Sequence, residues 1–419
     1  MARVTVKPQS NMAGTLLLLV ASTLAAIGLL MVASASIDLA DRNYGNPFYF
    51  AQRHGIYLIV GIIAAVLSYQ VSMKVWQRSG ALLLLIAYAL LVIVLIPGVG
   101  KTVNGSTRWL PLGLFTVQVS ELAKIFVLVY VAGYLVRRRN EVQGSFWGFL
   151  KPMLILSLMV MLLLMEPDFG AVVVIMSAVF AMLFLGGVKF LQFAAVLGGS
   201  LLAGTALILS SEYRWRRITG YIDPWADQFS SGYQLVQSLI AFGRGDVAGL
   251  GLGNGIQKLF YLPEAHTDFV FAIVAEETGV MGALGVIALF IVLFCLAMII
   301  GRKAEKLGAL FNAYLAYGFG TMIGLQSLIN IGVCSGLLPT KGLTLPLVSY
   351  GGSSLVVNAV IVALLLRISR ENQLMSAGQL EVPELAESGR KSSKGRSKSA
   401  PQSVREAFLQ RWLRGGQSV

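Results

Sequence analysis

The chain is poor in the residues that solvate a globular protein and in those that most often bind metals. Charged residues make up 13% of its 419 residues, whereas a soluble globular protein carries roughly 25%. Its two histidines leave little room for a histidine-based metal site. Of its two cysteines, Cys295 lies deep in an apolar run, which argues against a disulfide and against a zinc site. These shortages exclude a soluble globule and a histidine–cysteine metal centre.

The sequence is rich in long apolar runs. Hydrophobic residues account for 56% of the chain, and runs such as 15–32 and 280–300 reach the roughly 20 residues that span a bilayer. The first run lacks a convincing cleavage site and further spans follow it, so it is not a cleaved signal peptide. The sequence therefore predicts an all-α integral membrane protein with about ten transmembrane helices. The predicted spans are residues 12–35, 55–71, 80–97, 120–136, 151–165, 169–187, 190–210, 279–301, 308–334 and 350–368.

Lysine and arginine decide the predicted orientation. Basic residues cluster in short loops on one side of the spans, as in the arginine run at 137–139, and cytoplasmic loops carry such an excess. The net charge of +13 is therefore assigned to the cytoplasmic side of a membrane and not to a nucleic-acid partner. We predict a cytoplasmic N-terminus (1–11), a membrane domain (12–370) and a disordered, basic cytoplasmic tail (371–419).

This orientation places three polar loops outside the membrane, at residues 98–119, 211–268 and 335–349. The second loop is the longest and lies between spans seven and eight. Its cations include Arg216, Arg217 and Lys258. Either they are solvated in a long loop, which is partly exempt from the positive-inside bias, or they face an anionic ligand. The glycine-rich stretch GRGDVAGLGLGNG in this loop follows no buried strand, so we predict no nucleotide-binding loop there.

Several ionisable residues lie where a membrane helix begins or ends, and such residues are functional candidates by default. Glu121 and Lys124 open the fourth span at a spacing of i,i+3, so they can share a face and pair. A structural ion pair at the membrane interface is the alternative to a functional role. Arg108 precedes the same span in NGSTRWLPLG. Glu166 and Asp168 in MEPDFG form a turn, and turn chemistry alone is an alternative explanation for them.

The segment YLPEAHTDFVFAIVAEETG is the richest in polar candidates. Pro263 together with Thr267 or Asp268 indicates a helix start, and Glu276 and Glu277 follow about two turns later. The apolar run that follows already spans the bilayer at about 1.5 Å per residue. Residues 268–278 are therefore predicted to form an extra helical piece at the outer membrane surface. Asp268 is then either a helix cap or an acid whose pKa is raised in an apolar-lined cavity, which suits a base.

The segment SGLLPTKGLTLPLVSYGGSS cannot form a continuous helix, because Pro339, Gly342 and Pro346 interrupt it. Irregular backbone at membrane depth is tolerated where it lines a cavity, so we predict a structured outer loop. Lys341 lies within this loop and is a further candidate cation.

Several separate motifs resemble one family. LPEAHTDFVFAIVAEETG, GLLPTKGLTLPLVSYGGSS, MEPDFG and GYQLVQSLIAFGRG resemble the SEDS proteins (shape, elongation, division and sporulation), and the resemblance covers about residues 12–370. The TKGLTLPL stretch and the basic tail are more similar to the cell-division branch of the family than to its elongation branch. Two departures are visible. Val333, Cys334 and Ser335 stand where an Asn-Thr pair is expected, and Phe260 stands where some relatives carry an acid.

The resemblance implies a peptidoglycan glycosyltransferase that polymerises lipid II on the outer face of the bacterial cytoplasmic membrane, at the division septum. It implies a class B penicillin-binding protein as the crosslinking partner, with other divisome membrane proteins and membrane lipid as further contacts. It places the essential aspartate of the family on Asp268.

The chemistry of that reaction suits the candidate residues. An α-linked donor that gives a β-linked product requires inversion, so a single displacement needs one base on the acceptor side, for which Asp268 is the candidate. The pyrophosphate leaving group needs charge stabilisation more than a proton. The candidate cations are Arg108, Arg216, Arg217, Lys258 and Lys341. The supporting candidates are Glu121, Lys124, Glu264, His266, Glu276, Glu277 and Ser349. A divalent cation, Mg²⁺ or Mn²⁺, is the one cofactor considered, held by Asp268 and a nearby carboxylate such as Glu264, Glu276 or Glu277.

Two other functions fit a ten-helix membrane protein: a flippase that moves lipid II across the bilayer, and a non-catalytic divisome scaffold. A transporter places its key groups near the bilayer midplane, whereas the polar residues here concentrate on one side, which favours an enzyme. A scaffold predicts that Asp268 can be replaced without loss.

Overall fold

The computed structural model describes residues 11–381 apart from residues 104, 114, 211, 231 and 341, and apart from the side chains of residues 112, 115, 213, 214 and 216–218. The predicted N-terminal segment and most of the predicted tail therefore lie outside the described residues. In the described part the helices are α1 (Met12–Tyr44), α2 (Tyr49–Gln70), α3 (Met73–Leu95), α4 (Val119–Arg137), α5 (Arg139–Gly144), α6 (Phe146–Met165), α7 (Phe169–Leu185), α8 (Phe190–Leu209), α9 (Glu212–Ile222), α10 (Tyr233–Gly245), α11 (Val270–Lys306), α12 (Leu310–Cys334) and α13 (Gly352–Ser376). The strands are β1 (Lys101–Val103), β2 (Ser106–Leu112) and β3 (Phe115–Gln118).

Each of the ten predicted spans coincides with a helix, which confirms the fold class. Among the described residues, eight helices are long and apolar enough to cross a membrane, namely α1, α2, α3, α4, α6, α8, α11 and α13. The apolar helix α7 is shorter, with 17 residues. Helix α12 has 25 residues and carries polar side chains that are buried inside the bundle, among them Asn312, Gln326 and Asn330.

The core of the bundle is built around α4, α11 and α12. Most residues of α4 are buried, and α12 packs against α4, α7 and α11. Glycines on α12 allow the close approach, since a Cβ at Gly320 would lie 2.8 Å from the Cβ of Ala297, and one at Gly318 would lie 2.5 Å from the Sδ of Met182. Helices α2 and α13 pack against each other, whereas α8 buries none of its residues.

The predicted loop at 98–119 contains an antiparallel sheet of order β1-β2-β3, which was not expected from the sequence. The sequence between β1 and β2 is Asn-Gly, which is a strong hairpin signal, and Gly105 and Gly113 adopt φ values of 75° and 72°. Trp109 in β2 pairs with Lys101 in β1 and with Gln118 in β3. The sheet connects α3 to α4 and carries Arg108 on its central strand.

Gly279 divides α11 into two segments. Its φ of 68° and ψ of −169° form a backbone conformation that is essentially restricted to glycine. The amides of Val280 and Met281, which follow the break, donate to the carbonyls of Asp246 (2.9 Å) and Val247 (3.3 Å) in the glycine-rich stretch. The stretch therefore supplies hydrogen-bond acceptors at the point where the helix is interrupted.

The extra helical piece expected over 268–278 is present, because α11 begins at Val270 and breaks at Gly279. The sequence did not indicate that this helical piece is enclosed by other parts of the protein. All residues from 270 to 277 are buried, with α1 and α10 packed against α11. Its apolar side chains are covered by protein, and its two glutamates are paired, as described below.

The last span continues past the boundary predicted at residue 370, since α13 ends at Ser376. Glu371 is buried there, and its carboxylate accepts hydrogen bonds from the amide of Met73 at the start of α3 (3.0 Å) and from Arg367 (3.0 Å). The final turns of α13 therefore belong to the packed bundle.

Candidate active site

A cavity of about 950 Å³ opens where α7, α11 and α13 begin. Its wall is formed by the β-sheet, the first turns of α2, α7 and α13, the turn before α11 and the loop before α13. The polar lining includes Arg53, Tyr57, Arg108, Gln118, Asp168, Glu264, Thr267, Asp268, Thr344, Tyr350, Ser353 and Ser354. Among the described residues, two cations and three carboxylates therefore border one space.

Asp268 lines this cavity from the turn that leads into α11. The N-cap residue of α11 is Phe269, so Asp268 precedes the cap position. The Asp268 carbonyl accepts a hydrogen bond from the Nδ2 of Asn330 (2.7 Å). The loop before α13 is close to the side chain, since a Cβ at Gly342 would lie 3.0 Å from the Oδ2 of Asp268. The carboxylate thus lies between that loop and a helix N-terminus, which favours negative charge.

Arg108 lines the cavity from β2 and is held by the turn between α6 and α7. Its guanidinium donates to the carbonyl of Glu166 (3.1 Å) and lies 3.7 Å from the carboxylate of Asp168. Asp168 also caps α7 by accepting from the amide of Ala171 (3.2 Å) and accepts from the hydroxyl of Ser120 (2.8 Å). The MEPDFG turn is therefore more than a local turn, because it fixes Arg108 at the cavity.

Glu166 in the same turn is fully buried, and neither of its carboxylate oxygens has a hydrogen-bond partner among the described residues. Burial raises its pKa to about 8, and the charge of Asp168 adds to the increase while Arg108 opposes it. A carboxyl with this pKa is mostly protonated at neutral pH.

The titration of Glu166 should make stability depend on pH. The folded protein holds this proton up to a pKa of about 8, whereas the unfolded chain releases it near its ordinary pKa of about 4.3. The bound proton therefore contributes stability that is fully present below the unfolded-state pKa of about 4.3. This stability is lost as the pH rises through the folded-state pKa of about 8. We expect the Tm of Glu166→Gln, which cannot ionise, to exceed that of wild type by a margin that grows from about pH 5 to about pH 8. Thermal unfolding across this range measures it, and a margin independent of pH would contradict the assignment.

Glu276, expected as a carboxylate near Asp268, is instead fully buried in an ion pair. It accepts hydrogen bonds from Arg244 (3.2 Å) and from the amides of Ile256 (3.0 Å) and Gln257 (3.1 Å). The glycine-rich stretch therefore places backbone amides around an anion, as a phosphate-binding loop does. The anion here is a carboxylate of the protein itself.

Glu277 also lies in a buried ion pair. Its partner is Lys258, which is therefore not one of the cations that border the cavity. The Nζ of Lys258 donates to Glu277 (2.7 Å), to the hydroxyl of Ser34 (2.9 Å) and to the carbonyl of Gly253 (2.8 Å). Both charged side chains are almost completely buried. A lysine has three donors, and all three are used within the protein. The structure therefore does not bring Lys258 to the cavity, contrary to the expectation that it binds pyrophosphate.

Glu121 and Lys124 form the ion pair that their spacing predicted (2.8 Å), and both are buried within the bundle. Lys124 also donates to the Oε1 of Gln326 (2.9 Å), and the amide of Gln326 donates to the carbonyl of Thr344 (2.9 Å). Since Thr344 lines the cavity, the pair lies behind the cavity wall and supports it.

Two supporting candidates are engaged in local hydrogen bonds. Glu264 lines the cavity and accepts from the hydroxyl of Thr267 (2.6 Å). The hydroxyl of Ser349 accepts from the amide of Leu345 (2.8 Å) and so stabilises the loop before α13. The side chains of Arg216 and Arg217 and all of Lys341 lie outside the described residues, so their roles stay predictions.

The sequence did not indicate a group of aromatic side chains beside the cavity, formed by Tyr49, His266 and Tyr350, with Arg53 next to it. Arg53 lines the cavity, lies 5.0 Å from the ring centroid of Tyr49 and opposes the rise in the pKa of Tyr350. The ring of Tyr350 is 5.5 Å from that of His266, and burial lowers the pKa of this histidine while it raises that of Tyr350 to about 12. A signal was available, because Arg53 stands at the outer end of the second predicted span, against the positive-inside bias.

Of the carboxylates predicted to bind a divalent cation, only Asp268 and Glu264 line the cavity in the described part of the chain. Within the described part of the chain, no group of three or more His, Cys, Asp or Glu side chains could hold a metal ion. Glu276 and Glu277 are occupied by Arg244 and Lys258. Asp268 and Glu264 both line the cavity, and Mg²⁺ is usually held by one or two carboxylates together with substrate phosphates. A cation held by these two carboxylates together with a phosphorylated substrate therefore stays a prediction.

Comparison with solved structures gives the same fold. The chain superposes on the rod-shape-determining protein RodA of Thermus thermophilus with a TM-score of 0.64 and 26% identity, covering 85% of this chain and 96% of that one. A chain of a peptidoglycan synthase complex, described for its coordination of polymerization and crosslinking, gives a TM-score of 0.69 and 27% identity, covering 85% and 97%.

Proteins that match by sequence share a higher identity with this chain than these two structures do. A probable peptidoglycan glycosyltransferase FtsW of Hahella chejuensis is 56% identical over 351 residues, which cover 84% of this chain and 88% of that protein. The protein of the same name from Coxiella burnetii is 52% identical over 353 residues, covering 84% and 94%. The model of the cell cycle protein family named for FtsW, RodA and SpoVE matches residues 14–374. The chain therefore belongs to this cell cycle protein family, which is the SEDS family that its motifs resemble.

Proposed function

We propose that the chain is a peptidoglycan glycosyltransferase that polymerises lipid II on the outer face of the bacterial cytoplasmic membrane. The names of its relatives support this activity. The observation that carries the proposal is the position of Asp268, which borders a cavity of about 950 Å³ together with Arg53 and Arg108. A cavity of this size suits a ligand with several polar anchors.

The reaction needs a base beside the acceptor sugar. Asp268 takes the proton from the 4-hydroxyl of the acceptor, whose oxygen attacks the anomeric carbon of the donor and expels the lipid pyrophosphate. The product has the opposite anomeric configuration from the donor, as a single displacement requires. A base positioned in this way contributes about 10²–10⁴-fold to the rate.

The leaving pyrophosphate needs positive potential, and two features of the cavity supply it. Arg108 and Arg53 border the space, and arginine matches phosphate geometry with its planar guanidinium. The first residues of α7 and α13 also line the cavity, and helix N-termini present free amides and a positive dipole end to anions. Lys341, Arg216 and Arg217 are expected to add to this potential, and a divalent cation bound by Asp268 or Glu264 with the pyrophosphate would act in the same direction.

The partner and location follow from the same activity. A structural neighbour belongs to a complex of polymerization and crosslinking, which supports a class B penicillin-binding protein as the partner of this chain. We place the protein at the division septum with both termini in the cytoplasm, in contact with other divisome membrane proteins and with membrane lipid.

Arg108 should be required for turnover and not for folding. We expect Arg108→Ala to lower kcat/KM for lipid II by about 10–10²-fold, because a hydrogen bond to a charged group contributes about 1.5–3 kcal/mol. Arg108→Lys should recover little, since an ammonium cannot reproduce the planar fork of the guanidinium. Lys101→Ala removes an exposed cation from the same sheet and serves as the control. Initial polymerisation rates measure the effect, and near-wild-type rates for Arg108→Ala would remove this residue from the site.

The activity itself is tested with purified protein and labelled lipid II, alone and with the penicillin-binding partner, with product length read on a gel. We expect glycan polymer from the wild type in the presence of the partner. No polymer under either condition would contradict the proposal. Transport of lipid II across vesicles without polymer would then favour a flippase, and neither activity would favour a scaffold.

A further inference from the structure

Three polar residues form a stripe along one face of α12. Gln326, Asn330 and Cys334 are spaced i,i+4, so their side chains lie one above the other. All three are buried, with exposures of 1%, 1% and 0%. Such side chains are costly in a membrane-spanning helix unless they are paired. Their donor groups are directed at backbone carbonyls of two segments beside the cavity.

Asn330 is the central residue of this stripe and joins two segments that are far apart in sequence. Its Nδ2 donates one hydrogen bond to the carbonyl of Asp268 (2.7 Å) and another to the carbonyl of Leu343 (2.6 Å). An amide group carries two donor hydrogens, and both are used here. One side chain therefore connects the turn that carries Asp268 to the loop before α13.

The neighbours of Asn330 in the stripe reinforce the same two segments. The amide of Gln326 donates to the carbonyl of Thr344 (2.9 Å), next to Leu343 in the loop. The thiol of Cys334 lies 3.5 Å from the carbonyl of Asp268, and a thiol is a weak donor. Asn330 is therefore the strong side-chain donor to the Asp268 carbonyl in the stripe.

The distance between these two segments matters because the loop lies against the carboxylate. A Cβ at Gly342 would lie 3.0 Å from the Oδ2 of Asp268, so a shift of either segment would change the space beside the reacting oxygen. We propose that Asn330 is a positioning residue, which fixes the Asp268 carboxylate relative to the loop before α13. This role rests on the proposed function, and Asn330 itself does not touch the substrate.

Loss of Asn330 should reduce the rate of the chemical step more than the binding of substrate. A displacement of about 1 Å at a reacting group can cost about 10²-fold in rate. For Asn330→Ala we expect kcat to fall by about 10–10²-fold with KM for lipid II changed by less than about 3-fold, since an interaction that acts on the transition state lowers kcat and kcat/KM together. Asn330→Ser, which keeps one donor, should lie between Asn330→Ala and wild type.

A matched control separates positioning from general stability. Asn372 on α13 is also buried, and its amide donates to the carbonyl of Ile300 on α11 (3.0 Å). Asn372→Ala removes one buried hydrogen bond between two helices, whereas Asn330→Ala removes two. It should therefore lower Tm, by less than Asn330→Ala does, while kcat stays near that of wild type.

A double variant tests whether Asn330 acts through Asp268. If it does, Asn330→Ala should cause no further loss in an Asp268→Asn background, because effects of residues that act as a unit are not additive. Losses that multiply, or equal kcat losses in Asn330→Ala and Asn372→Ala, would overturn the proposal. If Asn330→Ala is not recovered folded, Asn330→Ser decides, and a wild-type kcat for Asn330→Ser would overturn it. Absence of polymer from the wild type would instead overturn the proposed function.

Discussion

Asp268→Asn should reduce lipid II polymerisation by about 10²–10⁴-fold, the contribution expected of a positioned base. Asparagine has nearly the same shape as aspartate and can keep the turn before α11 in place. Its amide cannot take a proton from the acceptor hydroxyl at neutral pH. The loss should therefore appear in the initial rate of polymer formation, measured on a gel with labelled lipid II and the penicillin-binding partner, while the protein remains folded in the membrane.

Asp41→Asn is the matched control for this substitution. Asp41 is an exposed carboxylate near the end of α1, so the variant has the same change of charge away from the cavity. We expect it to polymerise lipid II at the wild-type rate. Equal polymer from Asp268→Asn and wild type would mean that Asp268 is not the base, whatever the loss in other variants.

Lys258→Met should destabilise the protein by about 3–5 kcal/mol, the usual cost of leaving one charge of a buried pair without its partner. The partner is Glu277, which has no exposed side-chain surface and which also holds the glycine-rich stretch around the break in α11. The sequence predicted instead that Lys258 binds the pyrophosphate. The structural assignment expects loss of folded protein and a lower Tm, measured by thermal unfolding in detergent, and no selective change in KM.

The double variant Lys258→Met with Glu277→Gln distinguishes the two assignments. Removing both charges leaves no unpaired ion in the core, so we expect it to recover part of the Tm that Lys258→Met loses. Lys101→Met, at an exposed cation on β1, should leave Tm unchanged. A stable Lys258→Met variant with a raised KM for lipid II would restore the original prediction.

The sequence was sufficient for the spans because apolar length is a property of each segment alone. Each of the ten predicted runs coincides with a helix, and the helical piece before Gly279 was also expected. The β-sheet between α3 and α4 was not, although its Asn-Gly turn is a local signal. Strands of three, seven and four residues are too short to give a clear alternating pattern.

The candidate site was predicted only in part, because a sequence shows which residues are charged and not which are paired. Asp268 and Arg108 do line one cavity. Glu276 follows Asp268 by only eight residues, yet Arg244 from α10 neutralises it. The sequence did not indicate Asn330, since a single amide in an apolar run carries no chemical motif. Its importance is visible only once its two carbonyl partners are known.

The most direct test of the central claim measures substrate binding and turnover on one preparation of Asp268→Asn. As a base, Asp268 acts on the transition state and contributes little to binding. The affinity for lipid II should therefore stay within about 3-fold of wild type while polymer formation is lost. A variant that polymerises at the wild-type rate, or one that loses turnover only because it no longer binds lipid II, would contradict the assignment of Asp268 as the base.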